Sequence, residues 1–237
     1  MIKKQYYPEM VKKRGRDVFL ENLEMDGKQI IDIGCGNGAL VRLLTRNGAQ
    51  VIGVEFSSEQ LEQAHKSPPV SEEQYLSASA EELPLADESA DTIIFFNSLH
   101  HIPIPLMSDA LTEALRVLRP EGVLFVGEPL PDGSHHEFTK QLDDETEVLA
   151  AAYQVISNAG AFGLEQTKEF YYNSPFRYDS FTAFKDDFVR VDPARLAQLE
   201  MYESELYENY NRLGRTIRED QKEFDQFSRV NIFRKKA

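Results

Sequence analysis

The chain of 237 residues lacks several features that would assign it to a specialised class of protein. Cys35 is its only cysteine, so a disulfide within the chain is impossible. No apolar run approaches the ~20 residues that a membrane-spanning helix needs. The first residues contain no apolar signal segment, and we therefore expect a cytoplasmic protein with no membrane partner.

Basic residues are scarce relative to acidic ones: 26 Lys and Arg stand against 40 Asp and Glu, a formal net charge of −14. Nucleic-acid binding depends largely on Lys and Arg side chains that meet phosphates. The charge balance therefore opposes a nucleic-acid partner and favours a small-molecule acceptor. One basic stretch, 12–16, lies in a helix predicted over residues 8–23, and we interpret it as a solvated helix face.

The stretch 30–40 has the composition of a buried strand, a glycine turn and a helix in succession. β-Branched isoleucines precede the turn, as a strand covered on both faces requires. Gly34, Gly36 and Gly38 then let the backbone bend and approach a ligand with no Cβ in the way. Apolar residues return after the turn at helical spacing. A turn of this kind is a common binding site for a nucleotide-like cofactor.

The glycine spacing fits two kinds of cofactor. Gly34, Gly36 and Ala39 satisfy the dinucleotide pattern G-x-G-x-x-A, whereas Gly38 in place of Ala39 completes G-x-G-x-G. Asp32 favours S-adenosylmethionine, because its carboxylate would attract the ammonium of that molecule and repel a pyrophosphate. NAD remains the alternative cofactor, because the spacing by itself does not choose between the two.

A second strand, 50–55, ends in an acidic residue. Glu55 at this strand tip can accept hydrogen bonds from both hydroxyls of a ribose. Phe56 follows it, and an aromatic side chain there can pack against an adenine. These two residues extend the expected cofactor site beyond the glycine turn.

Further strands are predicted at 74–77, 91–96 and 123–126, with a helix over 105–119 that a stop signal ends at 119–122. Strands that alternate with helices indicate parallel βαβ units. Ligands of such sheets bind beyond the carboxyl ends of the strands. We therefore expect these strand ends to surround one ligand-binding opening, which we call the mouth. It would be formed by 34–38, Glu55, 97–101 and 128–136.

Together these motifs resemble the seven-stranded, class I S-adenosylmethionine-dependent methyltransferases of the small-molecule type. The resemblance covers about residues 26–130. It rests on the glycine motif at 32–38, Glu55, Ala80-Glu81-Glu82-Leu83-Pro84, the 97–101 stretch and Leu118-Arg119-Pro120-Glu121-Gly122.

The resemblance implies a set of cofactor-binding residues. Asp32, Gly34 and Asn97 would surround the methionine moiety, and Glu55 would hold the ribose. Ser79 stands where the family commonly has an aspartate, so its bond to the adenine amino group should be weaker without charge assistance. The full implied set is Asp32, Gly34, Gly36, Gly38, Glu55, Phe56, Ser79, Ala80, Asn97 and Ser98, with Phe56, Ser79 and Ala80 flanking the adenine.

The second half is predicted to contain a helix over 137–160, a sixth strand at 164–173 and a seventh at 227–233. The resemblance implies that the last two strands are antiparallel. We interpret 178–220 as a helical insertion that covers the cofactor mouth. The expected fold is thus one methyltransferase domain, 1–237, of the doubly wound α/β class, with a mostly parallel seven-stranded sheet.

Four of the five histidines occur as two doublets, His100-His101 and His135-His136. A methyltransferase needs a general base only if the acceptor must lose a proton. His101 and His136 are our candidates for that base, and loop histidines without a catalytic role are the alternative. A metal site made by the doublets and Glu128 is a third hypothesis, although no ligand motif of diagnostic spacing is present. We predict no metal.

The predicted function is S-adenosylmethionine-dependent methyl transfer to an oxygen, nitrogen or carbon of a small molecule. Two alternatives remain from the sequence: an NAD-dependent oxidoreductase and a regulatory protein that binds the cofactor without catalysis. The insertion allows two arrangements, a cap over the pocket or a homodimer contact.

Overall fold

A computed structural model describes residues 10–191 and 195–236. Its helices are α1 (Gly15–Leu20), α2 (Ala39–Arg46), α3 (Ser58–Lys66), α4 (Met107–Val117), α5 (Ser134–Thr139), α6 (Thr146–Ser157), α7 (Phe181–Val191) and α8 (Leu196–Leu213). Its strands are β1 (Gln29–Ile33), β2 (Gln50–Glu55), β3 (Gln74–Ser77), β4 (Ala90–Phe96), β5 (Leu118–Pro129), β6 (Leu164–Asn173), β7 (Phe176–Tyr178), β8 (Arg215–Arg218), β9 (Gln221–Phe224) and β10 (Phe227–Lys235). None of the helices in these ranges is both long and apolar enough to cross a membrane.

The large sheet has seven strands in the order β3-β2-β1-β4-β5-β10-β6. Ile31 on β1 is in parallel register with Ile52 on one side and Ile93 on the other. The central strands β1 and β4 are largely buried and apolar, because helices cover both faces of a doubly wound sheet. The sheet is mostly parallel with antiparallel strands, which confirms the predicted fold class.

Residue contacts divide the chain into two compact units. Among the described residues, the core unit comprises 14–128, 148–170 and 229–236. The second unit comprises 10–13, 129–147, 171–191 and 195–228. The core unit contains most of the large sheet and a hydrophobic core of fully buried aliphatic residues such as Ile93, Leu111 and Leu124.

The second unit contains a three-stranded sheet in the order β7-β9-β8 and the helices α5, α7 and α8. Its core is aromatic: Phe138 stacks on Phe224 with ring centroids 4.7 Å apart, and Phe184 lies 4.5 Å from Phe138. Helices α7 and α8 fall inside the predicted helical insertion, whereas α5 precedes it. The three strands were not predicted, because each has only three or four residues and so short a run has no readable alternation.

Two predicted helices differ from the structure. The helix predicted over 137–160 is interrupted between α5 and α6. Asp144 explains the break, since its Oδ1 accepts hydrogen bonds from the backbone N–H of Thr146 at 3.0 Å and from the Thr146 hydroxyl at 2.5 Å. A side chain that bonds the backbone two residues later favours a turn over a continuous helix.

The opening helix is shorter than the predicted 8–23, because α1 begins only at Gly15; residues 8 and 9 lie outside the described residues. Lys12 forms an isolated parallel bridge with Asn173, so the basic stretch does not begin on a helix face. The predicted helix stop at 119–122 belongs instead to β5, which begins at Leu118.

Candidate functional site

The glycine turn after β1 has the backbone that the sequence predicted. Gly34 has φ +73°, and a Cβ there would lie 2.5 Å from the Cβ of Ser98. Gly38 has φ +75°, and a Cβ there would lie 2.5 Å from the hydroxyl of Tyr75. A Cβ at Gly36 would meet nothing closer than 3.8 Å. The outer two glycines are therefore required for packing, and the space beside the middle one is open to a ligand.

Asp32 is buried at the end of β1, with 2 % of its surface exposed. Its Oδ2 has no hydrogen-bond partner among the described residues. Burial, followed by the negative charge of Glu55, raises the pKa of Asp32 to about 7. An unpartnered buried carboxyl is costly, and a cationic ligand group would satisfy it. The residue therefore fits the ammonium of S-adenosylmethionine.

Glu55 is held in one orientation by two backbone N–H groups. Its Oε2 accepts a hydrogen bond from Gly36 N at 2.8 Å, and its Oε1 accepts one from Ser57 N at 2.8 Å. A carboxylate has about four acceptor positions, so each oxygen retains a lone pair for a ribose hydroxyl. Phe56 follows with 80 % of its surface exposed, and its packing against adenine stays a prediction.

The remaining predicted residues follow the tips of β3 and β4. Ser79 and Ala80 lie just after β3 and are half-buried. Asn97 follows β4 with φ +52° and is exposed, and its backbone N–H donates to Gly127 O at 2.8 Å. A left-handed asparagine forms a sharp turn at this strand end. The contacts of these residues with a cofactor stay predictions.

Ser98 follows β4 and connects it to the end of β1 through a hydrogen bond. Its side chain is buried, and its hydroxyl donates to Ile33 O at 2.6 Å. Because the hydroxyl proton is used in this bond, Ser98 can offer a ligand only an acceptor lone pair. The structure thus places Ser98 beside Gly34 as a support of the turn, and its predicted contact with the cofactor stays a prediction.

The carboxylate of Glu128, at the end of β5, accepts hydrogen bonds from three donors. Its Oε1 accepts from the backbone N–H of Ser98 at 3.3 Å and of Leu99 at 2.9 Å. Its Oε2 is hydrogen-bonded to His100 Nδ1, and both side chains are buried. Because a carboxylate accepts, Nδ1 carries the proton. The 97–101 stretch is therefore anchored to β5 through one carboxylate.

His101, a predicted general base, lies next to this anchor. Its side chain is exposed, and its ring centroid lies 4.0 Å from that of His100. Sequence reasoning counted Glu128 among the residues of the mouth but did not predict its pairing with His100. Only the register between β4 and β5, with Phe96 opposite Gly127, reveals that partnership.

The second doublet lies in the second unit. His135 Nδ1 is 3.0 Å from Gln226 Oε1, and His135 Nε2 is 2.9 Å from the Tyr178 hydroxyl. Since Gln226 Nε2 donates to Phe227 O, its Oε1 must accept, so Nδ1 donates and Nε2 accepts from Tyr178. Burial lowers the pKa of His135 to about 4, which agrees with a neutral ring.

His136, the other predicted base, is half-buried and makes no side-chain hydrogen bond within the part of the chain that the structure describes. The two doublets thus belong to different compact units. Their convergence on one mouth stays a prediction, and so does the hypothesis of a metal site that uses both.

Comparison with known proteins identifies a segment similar to methyltransferases. The family model described as "Methyltransferase domain" matches residues 31–126, which include the glycine turn, Glu55 and the 97–101 stretch. The chain is 37% identical over 116 residues to a 27-O-demethylrifamycin SV methyltransferase from Amycolatopsis mediterranei, covering 45% of this chain and 42% of that enzyme. It is 36% identical over 109 residues to a ubiquinone biosynthesis O-methyltransferase from Actinobacillus pleuropneumoniae, covering 42% and 44%.

The matched segments thus span less than half the length of these two relatives. Among solved structures, the YcgJ protein from Bacillus subtilis superposes with a TM-score of 0.64 at 19% identity, over 94% of this chain and 98% of the other. That likeness shows the fold. The domain match and the fold agree: residues 31–126 are similar to the methyltransferase domains of class I enzymes, whose methyl donor is S-adenosylmethionine.

Proposed function

We propose that this protein transfers the methyl group of S-adenosylmethionine to an oxygen, nitrogen or carbon of a small-molecule acceptor. The observation that carries the proposal is Asp32, a buried carboxyl whose Oδ2 has no partner among the described residues. A hydroxyl oxygen is the first acceptor to test, because the two relatives are a 27-O-demethylrifamycin SV methyltransferase and an O-methyltransferase of ubiquinone biosynthesis.

The residues around the turn match this cofactor better than NAD. Asp32 would hold the ammonium of the methionine moiety, and Glu55 would accept from the ribose hydroxyls. A dinucleotide would bring a pyrophosphate to the same turn, where the carboxylate of Asp32 would repel it. When bound, S-adenosylmethionine supplies a methyl group on a positively charged sulfur, already activated for in-line displacement.

The protein itself must align the acceptor, exclude water and, for a hydroxyl acceptor, take up a proton. His101 is the first candidate for that proton, because it is exposed and follows β4, next to the 97–98 segment of the cofactor site. The anchored His100 beside it limits where the backbone of His101 can move. His136 is the second candidate, since its imidazole is not engaged in a hydrogen bond among the described residues.

Calorimetric titration of the full chain tests the cofactor. We expect heat from S-adenosylmethionine and S-adenosylhomocysteine and none from NADH. Asp32→Asn should weaken both cofactors by about tenfold to a hundredfold, the worth of a charge-assisted hydrogen bond. Asp109→Asn is the matched control, because Asp109 is an exposed aspartate of α4 in the same unit. Tight NADH binding without S-adenosylhomocysteine binding would overturn the proposal.

A second assay tests transfer. Production of S-adenosylhomocysteine is followed with phenols, aliphatic alcohols, amines and carbon acids as separate acceptor classes. Turnover with one class identifies the acceptor atom. Cofactor binding without turnover in every class would instead favour the regulatory alternative.

A further inference from the structure

A cluster of charged residues lies on the three-stranded sheet of the second unit. Glu223 on the central strand β9 is directly opposite Arg177 on β7 and Arg215 on β8. Side chains of successive residues in a strand point to opposite faces. The neighbouring Phe224 packs in the aromatic core, so the cluster occupies the face that points away from that core.

Three cations converge on the single carboxylate. Lys12 Nζ lies 2.6 Å from Glu223 Oε1, and Arg177 places Nε and Nη2 each 2.8 Å from Oε2. Arg215 contacts Oε1 through Nη2. The Glu223 side chain is 2% exposed, whereas those of Lys12, Arg177 and Arg215 are 50%, 62% and 63% exposed. The carboxylate is thus covered by cations that themselves face solvent.

The cluster is not electrically balanced. Three positive charges meet one negative charge, which leaves an excess of two on a chain whose net charge is −14. Asn173, which pairs with Lys12 through a backbone bridge, donates its side-chain amide to Asp225 Oδ1 at 2.7 Å, so this carboxylate is engaged by an amide and not by one of the three cations.

The guanidinium groups retain donors for a ligand. Each guanidinium has five N–H donors in a fixed planar fork. Arg177 uses Nε and Nη2 on Glu223, and the contact of Arg215 is made through Nη2. More than half of each of these two side chains is exposed. Planar forks of this kind bind phosphate oxygens in pairs.

We propose that Lys12, Arg177 and Arg215, gathered by Glu223, form a binding site for the phosphate group of a small molecule. A phosphate monoester carries about −1.5 to −2 charges at pH 7, which matches the excess of two positive charges. A monovalent anion would leave one cation uncompensated. The ligand is either free inorganic phosphate or a phosphorylated organic molecule, and both share this chemistry.

Calorimetry with the full chain tests the site. Inorganic phosphate and phenyl phosphate are titrated at constant ionic strength, with sodium chloride as the reference. We expect saturable binding of phosphate and none of chloride. Tighter binding of phenyl phosphate would identify an organic phosphate as the ligand class, and equal binding would identify the free ion. Heats that match the chloride reference for both phosphates would overturn the proposal.

Variants locate the site. Arg177→Gln and Arg215→Gln should each weaken phosphate binding by about tenfold, because each removes one charge-assisted contact. Arg190→Gln is the matched control, since Arg190 is an exposed arginine of the same unit that pairs with Asp187 on α7. Thermal melting followed by circular dichroism establishes that each variant is folded, and Lys12→Gln replaces any variant that is not. An equal loss of phosphate affinity in Arg190→Gln would refute the assignment.

Discussion

The two histidine doublets have the same sequence and opposite surroundings. In the core unit, His100 is hydrogen-bonded to the buried carboxylate of Glu128. In the second unit, His135 is bonded to the neutral side chains of Gln226 and Tyr178 and stacks on Phe176 with ring centroids 4.0 Å apart. Each doublet therefore has one anchored ring, but the anchor is charged in the first and neutral in the second.

The role of a histidine therefore depends on the surroundings that the fold provides. A carboxylate anchor stabilises positive charge on the ring that it holds, whereas burial in an aromatic core stabilises the neutral ring of His135. The neighbouring residues, His101 and His136, stay the candidates for the general base.

Replacement of the candidate bases should have the largest effect, because it shows which histidine doublet contributes to kcat. We expect His101→Gln to lower kcat by about 10²- to 10⁴-fold, the range for loss of a general base, with S-adenosylhomocysteine affinity retained. His136→Gln measured with the same acceptor shows whether the second doublet contributes. His65→Gln is the control, because His65 is exposed on α3. Unchanged turnover in His101→Gln would remove it as the base.

Loss of the charged anchor should destabilise the protein. Glu128→Ala leaves the buried His100 ring and two backbone N–H groups without their acceptor, and we expect a loss of about 3–5 kcal/mol in the free energy of unfolding. Urea unfolding followed by circular dichroism measures it, since the chain contains no tryptophan. Glu121→Ala, an exposed carboxylate of the same strand, should change stability by less than ~1 kcal/mol. A similar loss in both variants would contradict the anchor.

The neutral surroundings of His135 predict a pH effect. The unfolded chain takes up a proton on this residue near pH 6.5, but the folded chain does so only near pH 4. Stability should therefore fall as the pH drops from about 6.5 to 4, by up to ~3 kcal/mol from this group. Urea unfolding at pH 7 and pH 4.5 should show a smaller pH dependence in His135→Gln than in the parent. Equal pH dependence would be incompatible with a buried neutral ring.

Loss of the neutral anchor should have the smallest effect. Gln226→Ala removes one acceptor from His135 without leaving a buried charge, and we expect a loss of about 1–2 kcal/mol. The same urea titration measures it beside Glu128→Ala. A loss as large as that of Glu128→Ala would show that the contrast between charged and neutral anchors is wrong.

The sheet around the cofactor site was predictable because its signals are local. β-Branched runs such as Ile30-Ile31 are typical of strands buried on both faces, and the sixth strand was predicted with its observed bounds, 164–173. The requirement for glycine at 34 and 38 was likewise predicted from spacing. The structure adds the reason, which is the close approach of Ser98 and Tyr75.

The second unit was predicted less well because its structure depends on distant residues. The helices within 178–220 follow from apolar spacing, but the strands β7, β8 and β9 are too short for any pattern. Lys12 meets Glu223 across 211 positions of sequence, and no local signal pairs them. The interruption between α5 and α6 depends on one turn at Asp144, within a segment whose apolar spacing predicted a continuous helix.

The α/β sheet, the glycine turn and the acidic residues at the first two strand tips were predictable, because neighbouring residues encode each of them through backbone sterics and hydrophobic periodicity. Three features depend on the tertiary structure: Asp32 has an oxygen with no partner among the described residues, Glu128 anchors His100, and burial keeps His135 neutral. Those outcomes depend on burial and on partners from other segments, and only the folded chain brings such groups within hydrogen-bond distance.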